Sequence, residues 1–173
     1  TGVTLKEVFD SKSNVWDATI TSSAGAIDAT RESNLKCDLS EGVTVEFWLQ
    51  TGSIASTVTE KQVVFDLWNG VDSGSADYGR LTVELTSSGS PFLVTVLSGT
   101  TGYTQQSIGS GLDQSTLSDW GHYAFSFSSG SSSLISTKFY RNGTLNDTLT
   151  VGNNIGEILN PIEARLGALT SPT

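Results

Sequence analysis

The stretch Val43-Thr44-Val45-Glu46-Phe47-Trp48-Leu49-Gln50 alternates strictly, with Val43, Val45, Phe47 and Leu49 on one side and Thr44, Glu46, Trp48 and Gln50 on the other. A period of two belongs to a β-strand laid against a core, and a helix would not gather those four apolar residues on one face. Similar short alternations recur along the chain, separated by Gly, Ser, Asn and Asp. The predicted strands are 5–9, 15–21, 26–29, 43–50, 62–68, 80–85, 92–98, 121–128, 136–141, 144–151 and 164–169. That is about eleven strands, enough for two packed sheets of five or six. No window carries an i, i+3, i+4, i+7 stripe of helical length, so the expectation is an all-β antiparallel sandwich.

The connections support this reading. Arg141-Asn142-Gly143-Thr144 joins two strand-like runs through Asn-Gly, the pair that best tolerates positive φ at both centres of a type I′ turn. Residues 87–91 and 128–133 are Ser- and Gly-rich and bracketed by strands, which makes them hairpin loops rather than linkers. Asn69-Gly70 opens a longer loop, 70–79, that contains Asp72 and Asp77.

Composition narrows the function classes. At 173 residues the chain has the size of one all-β domain that buries roughly 70% of its unfolded surface. Eighteen acidic residues against nine basic give a formal charge of −9, which disfavours nucleic acid, since phosphate binding needs clustered Lys and Arg. The sequence is too polar for a membrane span. The single Cys37 excludes an internal disulfide and a cysteine zinc cluster, and is expected to pack. The chain contains no Met, so it is expected to be an excerpt of a longer protein. Little Lys and much Ser, Thr and Gly favour an extracellular or virion-surface location.

Four segments, in order, resemble the concanavalin A-like lectin/glucanase superfamily, in particular its laminin-G-like branch. Val43 to Gln50 is similar to the family's Phe-Thr-Val-Glu-Phe-Trp-Val strand. Asp119-Trp120-Gly121-His122-Tyr123-Ala124-Phe125-Ser126-Phe127 is similar to its Trp-His-His-Val-Ala-Val-Thr-Phe strand. Lys138-Phe139-Tyr140-Arg141-Asn142-Gly143-Thr144 and Ala164-Arg165-Leu166-Gly167-Ala168 are similar to the strands that follow. The resemblance implies a two-sheet antiparallel jelly-roll sandwich over 26–173, with 1–25 an N-terminal extension or edge strand. Family members usually end in a closing strand that this sequence does not show, so the sandwich is expected to lack or borrow one, from a further segment or another copy of the protein. Within this fold, Val45, Phe47, Leu49, Val63, Phe65, Leu67, Leu81, Val83, Val94, Val96, Tyr123, Phe125, Phe139 and Leu166 are the expected core. Trp120, His122 and Ala124 point the other way.

Candidate chemistry is sparse. Glycosidases of the superfamily carry clustered Glu-x-Asp-x-Glu carboxylates, whereas Glu46 and Glu84 each stand alone; a hydrolase would have to pair them from separate strands. His122 has no catalytic context in sequence and is expected to be a hydrogen-bonded strand residue. Sandwich packing is the expectation for Trp48. Trp68, beside the 70–79 loop, is open to packing or to stacking on a sugar ring. The candidate ligand-binding set is therefore Trp68, Asn69, Asp72, Asp77 and Tyr78. Asp72 and Asp77 are also the candidate ligands for a hard cation such as Ca²⁺, although loop solvation and Asx-turns account for them with fewer assumptions. Asn142-Gly143-Thr144 and Asn146-Asp147-Thr148 fit the glycosylation sequon. The leading expectation is a non-catalytic, lectin-like recognition or adhesion module for a glycan or cell-surface ligand. A structural or decorating component of a viral or phage particle is the alternative, and a glycoside hydrolase the third.

Overall fold

The computed structural model describes residues 20–21, 37–51, 61–86, 89–130, 133–160 and 162–169. The alternating segments become β1 (Ile20–Thr21), β2 (Val43–Leu49), β3 (Gln62–Trp68), β4 (Gly79–Leu85), β5 (Phe92–Ser98), β6 (Thr101–Ile108), β7 (Gly121–Ser129), β8 (Ile135–Arg141), β9 (Thr144–Val151) and β10 (Glu163–Leu166). One helical turn, α1 (Gln114–Leu117), lies between β6 and β7. One sheet runs β1-β10-β3-β4-β5-β6 and the other β2-β7-β8-β9. Every pairing is antiparallel. The result is a two-sheet sandwich of the jelly-roll kind.

Its core follows from the alternation. On β7, Tyr123, Phe125 and Phe127 face inward and are fully buried. Phe92 of β5 reaches across from the other sheet and meets Phe125 and Phe139 at 5.2 Å and Tyr123 at 5.6 Å between ring centres. Each such ring contributes of order 1.5–3 kcal/mol by area, so this cluster ties the two sheets together. The tight turn also forms as its residues require, with Asn142 at φ 50° and Gly143 at φ 77°.

Several expectations are corrected. Val45, Phe47, Leu49 and Phe65 are only partly buried against the core, and Val63 and Leu166 are likewise intermediate. Among the described residues β2 has a neighbour on one side only, and β3 shifts register between Val63 and Phe65. Strand β6 was not expected, because Thr101-Gly102-Tyr103-Thr104-Gln105-Gln106-Ser107-Ile108 is polar and buries only Tyr103 and Ile108. It is an edge strand, which needs few apolar residues. Helix α1 is too short to carry a periodic signal and is fixed by Asp113, whose carboxylate accepts from the Thr116 N–H at 3.0 Å. The predicted strands 5–9 and 26–29, and all of 15–21 but its last two residues, lie outside the described residues. Cys37 is buried in the core, as expected, together with Leu39, Leu112, Leu117, Ile155, Ile158 and Ile162 from connecting segments.

At one side the sheets are latched. The Asp147 carboxylate on β9 accepts from the Gly109 and Ser110 N–H groups after β6, both at 3.0 Å. Burial disfavours its charge, but those bonds and one from the Thr148 N–H outweigh this and hold its pKa below the ordinary value.

Candidate functional site

The outer face of the four-stranded sheet collects the exposed aromatic residues. Alternation on β2 sends Thr44, Glu46 and Trp48 outward, and on β7 it sends His122 outward; Trp120, also exposed, lies in the connection just before β7. The β2–β7 register sets Trp48 directly opposite His122 and Glu46 opposite Ala124. The Trp48 and His122 rings lie 5.4 Å apart at 52°. Glu46 Oε2 approaches His122 Nε2 to 3.5 Å. The row continues from Ala124 to its β8 partner Tyr140, which pairs in turn with Leu145 on β9.

Exposure distinguishes this face from ordinary packing. Trp48 is 67% exposed and Trp120 65%. Two tryptophans presented to solvent, one on β2 and one just before its partner β7, are a concentration of apolar surface that a folded domain otherwise hides. Packing of Trp48 in the sandwich is thus corrected: it sits on the polar side of its own strand, beside Thr44 and Glu46. The polar groups around it are held in place. The Asn142 carboxamide oxygen accepts from the His122 N–H at 2.9 Å, and the Asn142 N–H donates to the His122 carbonyl at 2.8 Å, so the hairpin turn fixes the His122 backbone.

The residues predicted as a ligand site lie elsewhere, at the end of β3 on the six-stranded sheet. Trp68 is only 6% exposed, and its indole N–H donates to the Val71 carbonyl at 2.8 Å. Its ring is covered and offers no platform. Asn69 is also buried and organises the loop: its amide donates to the Asp77 and Leu159 carbonyls at 2.6 and 2.9 Å, and its oxygen accepts from the Gly79 N–H at 2.9 Å. Tyr78 is buried, whereas Asp72 and Asp77 are exposed. Among the described residues no group of three or more His, Cys, Asp or Glu is arranged to hold a metal ion. The structure brings Trp68, Asn69 and Tyr78 together as loop scaffolding and leaves Asp72 and Asp77 on its surface.

The hydrolase pairing is corrected as well. Inward Leu81, Val83 and Leu85 put Glu84 on the outer face of the six-stranded sheet, while Glu46 lies on the outer face of the four-stranded sheet. The whole sandwich separates them, about 10 Å between sheets alone, so they cannot flank one glycosidic bond. Near Glu84, Asp66 is fully buried and gripped by Arg80 through Nε at 2.8 Å and Nη2 at 2.9 Å, with the Thr82 hydroxyl donating at 2.9 Å. Burial opposes the Arg80 charge, but Asp66 and Tyr78 outweigh it and hold the guanidinium pKa above its ordinary value. A carboxylate so occupied is a structural anchor.

Among the described residues no helix is long and apolar enough to cross a membrane. Residues 21–168 match the laminin-G-like family of the concanavalin A-like lectin/glucanases superfamily. No curated protein matches the chain. The chain therefore belongs to the laminin-G-like family.

Proposed function

We propose that this laminin-G-like domain is a non-catalytic recognition module that binds glycan through the outer face of its four-stranded sheet, within a secreted or virion surface protein. The observation that carries the reading is the pair of exposed tryptophans, Trp48 on β2 and Trp120 immediately before β7. Flat indole faces suit the apolar face of a sugar ring, and the Glu46 carboxylate and His122 imidazole supply hydrogen-bonding groups beside them. The sheet holds Trp48, Glu46 and His122 more rigidly than a loop would, so little conformational entropy is lost there on binding.

The expected size follows from the surface. A sugar ring covering about half of the exposed part of one indole removes roughly 70 Å² from water, about 1.7 kcal/mol at ~25 cal/mol per Å². Trp48→Ala and Trp120→Ala should each weaken glycan binding about tenfold to thirtyfold. Both residues are exposed, so the melting temperatures should stay close to that of the parent protein. A glycan array followed by calorimetry on the two variants is the test. Absence of any glycan ligand, or unchanged affinity in both variants, would refute the reading.

A further inference from the structure

The charge around the platform narrows the class of ligand, on the premise that the platform binds glycan at all. Glu46 lies between Thr44 and Trp48 on the outer face of β2, with its side chain 67% exposed. Asp119, next to Trp120, is exposed too. On the cationic side, His122 is in contact with Glu46, and Lys138 lies further along β8, paired with Ser126 and Thr148. Arg141, on the inward side of β8, donates through Nη2 to the Thr116 carbonyl at 2.9 Å. The molecule as a whole carries −9. We infer that the Trp48–Trp120 platform takes uncharged glycans and rejects glycans bearing carboxylate or sulfate groups.

An anionic sugar stacked on Trp48 would bring its charge close to Glu46 within a field that is negative overall, and binding a polyanion depends on clustered cations, which this face does not present among the described residues. A neutral sugar incurs no such repulsion, and its hydroxyls can donate to the Glu46 carboxylate in charge-assisted hydrogen bonds. Stacking and these short hydrogen bonds depend little on salt, because screening acts on charges separated in solvent.

The test is affinity electrophoresis of the full chain in gels carrying neutral polysaccharides, such as mannan and laminarin, or anionic ones, such as alginate and heparin. Retardation by a neutral polymer at least tenfold stronger than by any anionic one, changing less than about twofold between roughly 50 and 500 mM NaCl, is the expected result. Glu46→Lys should reduce this preference by strengthening anionic binding. Retardation by alginate or heparin that is lost in Trp48→Ala would overturn the inference while leaving the platform standing. No retardation in any gel would overturn both.

Discussion

Two buried tyrosines allow the same substitution to be made with opposite expected signs. Tyr123 on β7 is fully buried, and its hydroxyl has no hydrogen-bond partner among the described residues. The Nε of Arg141, the residue directly across the β7–β8 ladder, is in the same condition. A buried hydroxyl without a partner costs roughly 1–3 kcal/mol of desolvation. Tyr123→Phe removes that cost and keeps the ring, with its neighbours Phe47, Phe92 and Phe139 at 6.1, 5.6 and 6.2 Å between centres. The void left behind, of order 10 Å³, returns only about 0.2 kcal/mol. The variant should therefore be more stable by about 1–2 kcal/mol, or about 2–8 °C in Tm for a chain of this size. Tyr103 is the contrast. Its hydroxyl lies 2.6 Å from the Thr137 hydroxyl, and both residues are buried. Burial holds the Tyr103 phenol well above its usual pKa, against the pull of Thr137, so it stays a neutral partner at any ordinary pH. Tyr103→Phe leaves the Thr137 hydroxyl short of a partner and should cost about 1–2 kcal/mol. Urea unfolding with an unchanged m-value reads both directly. A loss of stability in Tyr123→Phe would refute the reasoning, because it would show that the hydroxyl is well satisfied in solution.

Two further substitutions test the polar anchors. Asp66→Asn keeps the shape of the side chain but breaks the bidentate grip on Arg80, whose side chain is only 20% exposed; a loss of about 2–3 kcal/mol is expected in urea unfolding, and adding Arg80→Met should recover part of it. Asp147→Asn weakens the latch between β9 and the loop after β6, at about 1 kcal/mol after solvent screening. The Asp147 pKa is depressed below 3.8 in the folded protein, so its contribution is full above that value and disappears as pH falls through the lower folded value. The difference in urea midpoint between parent and Asp147→Asn should therefore be constant from about pH 7 to 5 and narrow below about pH 4.

The fold was legible wherever a strand is half-buried. Strands β3, β5 and β9 fall on the residues where apolar alternation places them, and the Asn142-Gly143 turn sets the β8–β9 hairpin through its positive φ values. What escaped has one physical cause in each case. Strand β6 is an edge whose polar residues meet solvent, and Gly102 at φ 116° is required because a Cβ there would lie 2.0 Å from the Val96 carbonyl oxygen. Ile155, Ile158 and Ile162 are core residues on connecting segments, where no period exists to mark them.

The platform shows where pattern reading stops. The alternation of residues 43–50 already places Trp48 beside Thr44 and Glu46, on the polar side of its strand, and that of 120–127 places Trp120 with His122. An expectation of packing for Trp48 gives residue type more weight than position, since tryptophan is usually hidden. What no single strand can supply is the register. Only when Trp48 is set opposite His122 do an indole, an imidazole and the Glu46 carboxylate come together. Trp68 errs the other way: proximity to a Gly- and Asp-rich loop makes it look accessible, but its indole N–H is spent on the Val71 carbonyl and the loop closes over it. Both tryptophans lie on the side of their strand away from the core, and what covers that side decides which of them is free to bind.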